Sequence, residues 1–229
     1  MIPIRDTLRT RRVPLVNYAL IALCTLGFVY ELRAGPDVNG FIDAYALNPS
    51  RFVALASRRG VFDLALYAPL VSSMFLHAGF AHFAGNMLFL WIFGDNVEDR
   101  LGRLGYALFY LLGGIAAGLA HVAASPASVV PTVGASGAIA AVMGAYMLLY
   151  PGAYVQSLVI LGFFVRVVSV PAVVWLGIWF VFQVVAGAQS SSVPGQGGVA
   201  WWAHAGGFSF GVVTVLVLGL RGARPAIAR

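Results

Sequence analysis

Long runs of apolar residues constrain the fold of this chain more than any other feature of its sequence. Of its 229 residues, 60% are hydrophobic and only 10% are charged, and the mean hydropathy is +0.88. Soluble globular domains carry about 25% charged residues, so this composition excludes an ordinary soluble domain. Runs of about 20 apolar residues can cross the hydrocarbon core of a bilayer as helices. The chain is therefore predicted to be a polytopic membrane protein.

Six apolar segments are predicted to be transmembrane helices that pack as one all-α bundle over residues 14–220. They cover approximately residues 15–32, 80–97, 106–121, 136–150, 170–187 and 199–220. A signal peptide is the competing interpretation of the first segment, but a retained helix is favoured because no Ala-x-Ala pattern follows it. Tails are expected at 1–13 and 221–229, and a long first loop at 33–68 is expected either to be functional or to carry its own short helices. An amphipathic connection is expected at 152–168 and a flexible one at 189–198.

All 14 basic residues are arginines, and their distribution predicts the orientation of the bundle. Six crossings place both termini on one side of the membrane, and that side then receives ten of the 14 arginines. Since cytoplasmic loops are enriched in basic residues, both termini are predicted to be cytoplasmic. This topology explains the net charge of +6 more simply than a nucleic-acid partner does, and no such partner is predicted.

Two apolar segments carry polar side chains that are costly at membrane depth. His82 and Asn86 are four residues apart in the second segment, so they lie on one face of a helix. His204 stands in the last segment. Such side chains often line a site or a cavity. The alternative is that they make interhelical hydrogen bonds that only hold the bundle together.

Ser136 stands between Gly134 and Gly137 at the start of the fourth segment. At about 15 residues this segment is too short to cross a bilayer, so its N-terminus is predicted to lie at membrane depth, inside protein or a wet cavity. The unpaired N–H groups and positive dipole of a helix N-terminus would stabilise an anion that forms near the serine. Taken alone, the motif also fits a small-residue packing face with an inert serine.

Ser136 and His204 are candidates for a nucleophile and its general base. A neutral histidine in a cavity of low dielectric constant can take the proton of a serine hydroxyl. The two residues are 68 positions apart, so only packing of the fourth segment on the sixth can join them. No Asp or Glu occurs in the last three segments, which predicts a dyad without an orienting acid. The backbone N–H of Ser136, with His82 and Asn86, would donate to the oxyanion.

No cofactor and no metal ion are predicted. Cys24 is the only cysteine, which excludes an intramolecular disulfide and a cysteine-based metal site. His77, His82 and His204 are a conceivable metal-binding trio, but neither a carboxylate nor a thiolate accompanies them. The zinc-protease motif His-Glu-x-x-His, the P-loop and the Gly-x-Ser-x-Gly elbow are also absent from the sequence.

Three motifs together resemble the rhomboid family of intramembrane serine proteases. They are His77–His82 followed by Asn86, Gly134–Gly137, and Ala203–Gly207, and they lie in the second, fourth and sixth segments. The resemblance covers approximately residues 14–220. It implies that Ser136 is the nucleophile and His204 the base, that His82 and Asn86 are oxyanion donors, and that His77 and Glu98 are structural.

Two positions depart from the pattern of that family. Many members carry a Trp-Arg pair in the first loop, whereas residues 33–68 contain no tryptophan. Many also place an aromatic residue four positions after the serine, where it stacks on the catalytic histidine. Ala140 occupies that position here, so the imidazole of His204 must be held in another way.

The resemblance implies an intramembrane serine endopeptidase of a bacterial inner membrane, which hydrolyses peptide bonds in or near transmembrane segments of single-pass membrane proteins. It implies small residues at the cleaved bond and helix-breaking residues nearby, because a helical carbonyl must be freed before attack. The alternative is a proteolytically inactive rhomboid-like protein that binds membrane proteins for quality control. A small transporter with His82, Asn86 and His204 along a polar pathway is a third hypothesis, although no internal repeat is visible.

Overall fold

The computed structural model describes residues 1–190 and 199–220, which are mainly helical. These two ranges contain nine α-helices: α1 Leu15–Ala34, α2 Val38–Tyr45, α3 Pro49–Arg59, α4 Ala68–Ser72, α5 Phe80–Leu101, α6 Arg103–Ala124, α7 Ser136–Leu149, α8 Ala172–Ser190 and α9 Trp201–Val217. They also contain three strands: β1 Ile2–Asp6, β2 Tyr154–Leu161 and β3 Phe164–Pro171. The predicted tail 221–229 and residues 191–198 of the predicted flexible connection lie outside the described residues.

The long helices make this chain an integral, multi-pass membrane protein. Helices α1, α6 and α8 are each long and apolar enough to cross a membrane. Helix α5 meets the same criterion together with Leu64–Phe75, from which it is bent by 91°. Helices α7 and α9, with 14 and 17 residues, are shorter than the roughly 20 residues that a full crossing needs. The described chain therefore contains three candidate spans, or four with the bent pair.

The predicted helices occur, but their ends lie elsewhere by a few residues. Helix α5 continues past the predicted end near Val97 to Leu101, so the charged residues that follow Val97 are helical. It ends where Gly102 adopts a φ of 73°, a positive value that glycine takes without steric cost. Helix α6 begins directly after this glycine, at Arg103.

Glu98 joins the start of α1 to the end of α5. Helix α1 has no acidic residue in its first turn and no side-chain cap of its own. The buried Glu98 carboxylate accepts hydrogen bonds from the backbone N–H groups of Val16 (3.1 Å) and Asn17 (2.7 Å). A negative charge at unpaired N–H groups stabilises a helix N-terminus. These contacts agree with the structural role that the resemblance implied for Glu98.

The all-α prediction needs correction, because three strands form an antiparallel sheet in the order β1-β2-β3. Strand β1 lies in the predicted N-terminal tail, and its Ile2 pairs with Leu158 of β2. Strands β2 and β3 form a hairpin where an amphipathic connection was predicted. The hairpin turns at Gly162, whose φ of 58° suits glycine in a two-residue turn.

The first loop carries short helices, which is one of the two possibilities that the sequence left open. Asn48 caps α3, since its side-chain oxygen accepts from the N–H of Arg51 (3.1 Å), and Pro49 occupies the first turn. Both residue types are favoured at these positions, because Asn satisfies a free N–H and proline has none to satisfy.

Helix α7 lies at the centre of the bundle and is in backbone contact with α9. Eleven of its 14 residues are buried. A Cβ added at Gly207 of α9 would overlap the backbone carbonyl oxygen of Gly137, and one at Gly211 would overlap that of Ala141. Only glycine permits this approach, and it is this approach that brings side chains from the starts of the two helices together.

Candidate active site

The segment that leads into α7 is anchored on two sides. Thr132 exchanges two backbone hydrogen bonds with Leu47 of the first loop, of 2.7 and 3.1 Å. Two residues later, the N–H of Gly134 donates to the carbonyl of Ser73 (2.9 Å). Gly134 has a φ of 125°, which side chains rarely adopt. The path of the chain into Ser136 is therefore fixed by the first loop and by the turn before α5.

Ser136 and His204 meet between the first turns of α7 and α9. The hydroxyl oxygen of Ser136 lies 2.7 Å from Nε2 of His204, within hydrogen-bonding distance. Both side chains are partly exposed, so neither is sealed inside the protein. At this distance a proton can pass directly from the hydroxyl to the imidazole.

The second nitrogen of the imidazole contacts Gln183, a residue that the sequence interpretation missed. Nδ1 of His204 lies 2.7 Å from Oε1 of Gln183, which is only 3% exposed. The rings of Trp179 and His204 have centroids 5.9 Å apart, and Trp201 stands on the imidazole at 6.3 Å in a T-shaped arrangement. Helix α8 thus holds the imidazole of His204 through Gln183 and Trp179, which the small side chain of Ala140 cannot do. An amide in the middle of an apolar helix was the signal that could have identified Gln183.

His82 and Asn86 lie on α5, opposite the segment that precedes Ser136. A Cβ placed on Gly134 would lie 2.8 Å from Nε2 of His82 and 3.6 Å from Nδ2 of Asn86. The backbone N–H of Ala78 donates to Nδ1 of His82 (3.3 Å), so a neutral His82 carries its proton on Nε2. Nδ2 of Asn86 is buried without a hydrogen-bond partner in the described chain. Two N–H donors are therefore available beside the start of α7.

A cavity of about 810 Å³ connects these groups. Ser136, His204, His82 and Asn86 all line it, together with residues of α6 and of the segment before α7. Gln183 is not among the described residues that line it, so its amide lies behind the imidazole. The cavity is large enough for an extended peptide segment beside the serine hydroxyl.

His77 contributes to the frame around the cavity. Its side chain is 3% exposed, and its backbone N–H donates to the Glu31 carboxylate of α1 (3.0 Å). Its ring packs edge-on against the ring of His82, with centroids 5.4 Å apart. Within residues 1–190 and 199–220, no three His, Cys, Asp or Glu side chains come close enough together to hold a metal ion.

Comparison with known proteins gives a consistent family. A family model described as a Rhomboid domain matches residues 65–221. Among curated proteins, the chain is 32% identical over 135 residues to the rhomboid protease GluP of Bacillus subtilis, covering 58% of this chain and 24% of that protein. It is 31% identical over 148 residues to the mitochondrial Rhomboid protein 1 of Saccharomyces cerevisiae, covering 63% of this chain and 40% of that protein.

A third similar protein is the chloroplastic Rhomboid-like protein 11 of Arabidopsis thaliana, 39% identical over 87 residues, or 35% of this chain and 31% of that protein. The matched part of the chain thus spans between about a quarter and two fifths of the length of these three relatives. The family model covers the residues that line the site on α5, α7 and α9. Most of each relative's length lies outside its match to this chain.

Proposed function

The chain belongs to the rhomboid family, and from this premise we propose that it is a serine endopeptidase that works within the membrane. The observation that carries the proposal is the 2.7 Å contact between the Ser136 hydroxyl and Nε2 of His204. A nucleophile and a base in direct contact, beside a cavity with free N–H donors, have the geometry that acyl transfer requires.

In the proposed acylation, Oγ of Ser136 attacks the carbonyl carbon of the scissile peptide and its proton passes to Nε2 of His204. The new C–O bond gives a tetrahedral intermediate with a negatively charged oxygen. Collapse of this intermediate breaks the C–N bond, and Nε2 returns the proton to the departing amine. Water then attacks the ester carbonyl carbon and gives a proton to the same nitrogen. Collapse of this second tetrahedral intermediate breaks the C–Oγ bond, Nε2 returns the proton to Oγ of Ser136, and the carboxylic product leaves.

The oxyanion would be bound by donors from two helices. The backbone N–H of Ser136 is free because it belongs to the first turn of α7. The Nε2–H of His82 and the amide of Asn86 face the same region from α5. Each such donor typically contributes about 10²–10³ in rate, because it is fixed where negative charge develops.

The proposed substrates are single-pass membrane proteins presented from the surrounding lipid. A transmembrane helix pairs its backbone groups internally, so its carbonyl carbon is open to attack only where the helix unwinds. Small residues at the cleaved bond and helix-breaking residues nearby would meet this requirement. Neither a cofactor nor a nucleic acid has a part in this reaction.

We further propose a six-span topology for residues 14–220, with residues 1–13 and 221–229 in the cytoplasm of a bacterial cell. The distribution of arginines supports this orientation, because ten of the 14 fall on the side of the termini. Helix α7, too short to cross the bilayer by itself, would then begin at membrane depth next to the cavity. The outer half of the membrane would contain the site.

Cleavage of a labelled single-span substrate by the purified, reconstituted protein tests the function. The wild type is expected to cleave it, whereas Ser136→Ala and His204→Ala are expected to leave it intact. Ser209→Ala, at an exposed serine of α9, is the matched control and should cleave normally.

Equal cleavage by all four proteins would indicate a contaminating protease and would overturn the proposal. If no substrate is cleaved but single-span proteins are still bound, the alternative of an inactive rhomboid-like quality-control protein is favoured.

A further inference from the structure

We propose that Gln183 is a positioning residue that fixes the tautomer and the orientation of His204, in the place where other serine hydrolases use a carboxylate. The inference deepens the proposed function and rests on it. Helix α8 thereby supports the base, a role that neither the three sequence motifs nor the match to the family model indicates. Two 2.7 Å contacts, one on each nitrogen of the imidazole, support this role.

The two contacts together determine where the imidazole proton lies. A neutral imidazole has one N–H donor and one acceptor nitrogen. The side-chain oxygen of Gln183 can only accept, so Nδ1 carries the proton and donates to it. Nε2 is then the acceptor, and it faces the hydroxyl of Ser136. This is the tautomer that a general base needs, and without an acceptor behind Nδ1 the ring could hold its proton on the wrong nitrogen.

The surroundings of His204 contain no acid that could perform this task. All eight acidic residues of the chain lie at or before Asp99, so α6, α7, α8 and α9 contain none. The titratable groups of neighbouring helices whose charge would act on the imidazole are His82 on α5 and His121 on α6. A neutral amide is therefore the only acceptor that the described structure provides behind Nδ1.

The position of Gln183 suits a residue that acts through the base. It is buried, and it is not among the described residues that line the cavity, so no substrate is expected to touch it. Trp179 lies one helical turn before it on α8, and its indole stands beside the same imidazole, at 5.9 Å between ring centroids. One face of α8 thus holds the ring by an amide and an aromatic side chain.

Replacing the amide tests the proposal through rate and pH dependence. Gln183→Leu should lower kcat about 10- to 30-fold with KM within about twofold, because one buried hydrogen bond to the base is lost. Gln183→Glu should retain activity, and its carboxylate should move the acidic limb of the kcat/KM profile to higher pH by about one unit or more. Gln189→Leu, at an exposed glutamine of the same helix, is the control and should match wild type.

A merely structural role would lower the folded fraction of both Gln183 variants and leave the pH profile unmoved, and this result would overturn the proposal. A kcat equal to that of the wild type in Gln183→Leu would also overturn the proposal.

The position of the imidazole proton can be measured independently of cleavage by ¹⁵N NMR of the His204 ring nitrogens. Their signals are identified because they are absent from the spectrum of His204→Ala. The wild type should carry the proton on Nδ1, and a proton on Nε2 would refute the assignment. Failure of the proposed function has a different signature: the wild type would then cleave no better than Ser136→Ala, whatever the tautomer.

Discussion

At the scale of single residues, Asn86 has a donor that the folded chain does not use. Its side chain is 7% exposed, and Nδ2 has no hydrogen-bond partner in the described residues. Burying an unpaired N–H group costs about 1–3 kcal/mol of stability. A group kept at that cost beside the serine is expected to find its partner in a bound substrate or in the transition state.

Asn86→Ala should therefore lower activity without lowering stability. We expect kcat to fall about 10²-fold, because one oxyanion donor is removed. The thermal midpoint should stay the same or rise, since no hydrogen bond of Nδ2 within the protein is lost. Kinetic assays and thermal unfolding in detergent measure the two effects, with Asn39→Ala at an exposed site as control. A large drop in the midpoint with unchanged kcat would show that Asn86 is only structural.

Asp6 is a second residue with an unusual environment, outside the membrane-spanning helices. Its carboxylate accepts hydrogen bonds from the Tyr146 hydroxyl (2.6 Å) and from Nδ2 of Asn96 (2.9 Å). Burial raises the pKa of Asp6 from 3.8 to about 6, although the bond from Tyr146 works in the opposite direction. The protonated form is therefore favoured more in the folded protein than in the unfolded chain.

This raised pKa predicts how stability depends on pH. Between pH 4 and 6 the folded state binds more protons at Asp6 than the unfolded state does, so stability should fall as pH rises through this window. A shift of this size corresponds to about 3 kcal/mol at most. In Asp6→Asn the contribution is absent, and the thermal midpoint should fall less between pH 4 and 6. Asp43→Asn, at an exposed site, is the control and should behave like the wild type. If the thermal midpoints of wild type and Asp6→Asn depend equally on pH, the raised pKa of Asp6 is contradicted.

At the scale of elements, the contact between α7 and α9 decides whether the site exists. A Cβ on Gly207 would overlap the carbonyl oxygen of Gly137, the residue next to Ser136. Backbone atoms cannot rotate away as a side chain can, so the two helices must separate to make room.

Gly207→Ala should therefore lower the cleavage rate strongly, although it adds only one methyl group. A displacement of about 1 Å between reacting groups can cost about 10²-fold in rate, and overpacking typically costs about 1–3 kcal/mol of stability. Gly177→Ala is the matched control, because a Cβ at this glycine of α8 would meet no atom within 4 Å. Cleavage rates and thermal midpoints should both fall in Gly207→Ala alone. Wild-type activity in that variant would mean that α7 and α9 are not in backbone contact.

The sequence predicted α7 well because its features are local. A serine between glycines, a run of apolar residues and the turn at Tyr150 locate the helix without knowledge of its neighbours. The hairpin replaces a predicted amphipathic connection. Its Val- and Ile-rich strands on either side of a Gly-Phe turn are the local signal that favours strands there. Strand β1 could not be predicted from its own residues, since its partner lies about 150 positions away.

Gln183 shows a different limit of the sequence. An acid is the usual group that orients a catalytic histidine, and the chain has none after Asp99. An amide can hold one tautomer as well, but which polar residue faces the imidazole depends on how α8 and α9 pack. The same holds for the pairing of Leu47 with Thr132, which gives the first loop its role in supporting the segment before Ser136.

At the scale of the whole molecule, the bundle and the sheet both bring distant parts of the chain together. Strand β1 joins the N-terminal residues to the hairpin between α7 and α8, and Asp6 reaches Tyr146 on α7 itself. The buried core therefore continues from the sheet through α7 to the cavity. Helix α7, with Ser136 at its other end, is held along its length, as a preorganised nucleophile requires.

The central claim is that Ser136 is activated by His204 in the folded protein. Reaction of the purified protein with a fluorophosphonate, followed by peptide mass spectrometry, tests this without a known substrate. We predict one adduct, on Ser136, that is lost in His204→Ala and after heat denaturation. Native protein without an adduct on Ser136, or equal labelling of Ser136 in His204→Ala, would contradict the claim.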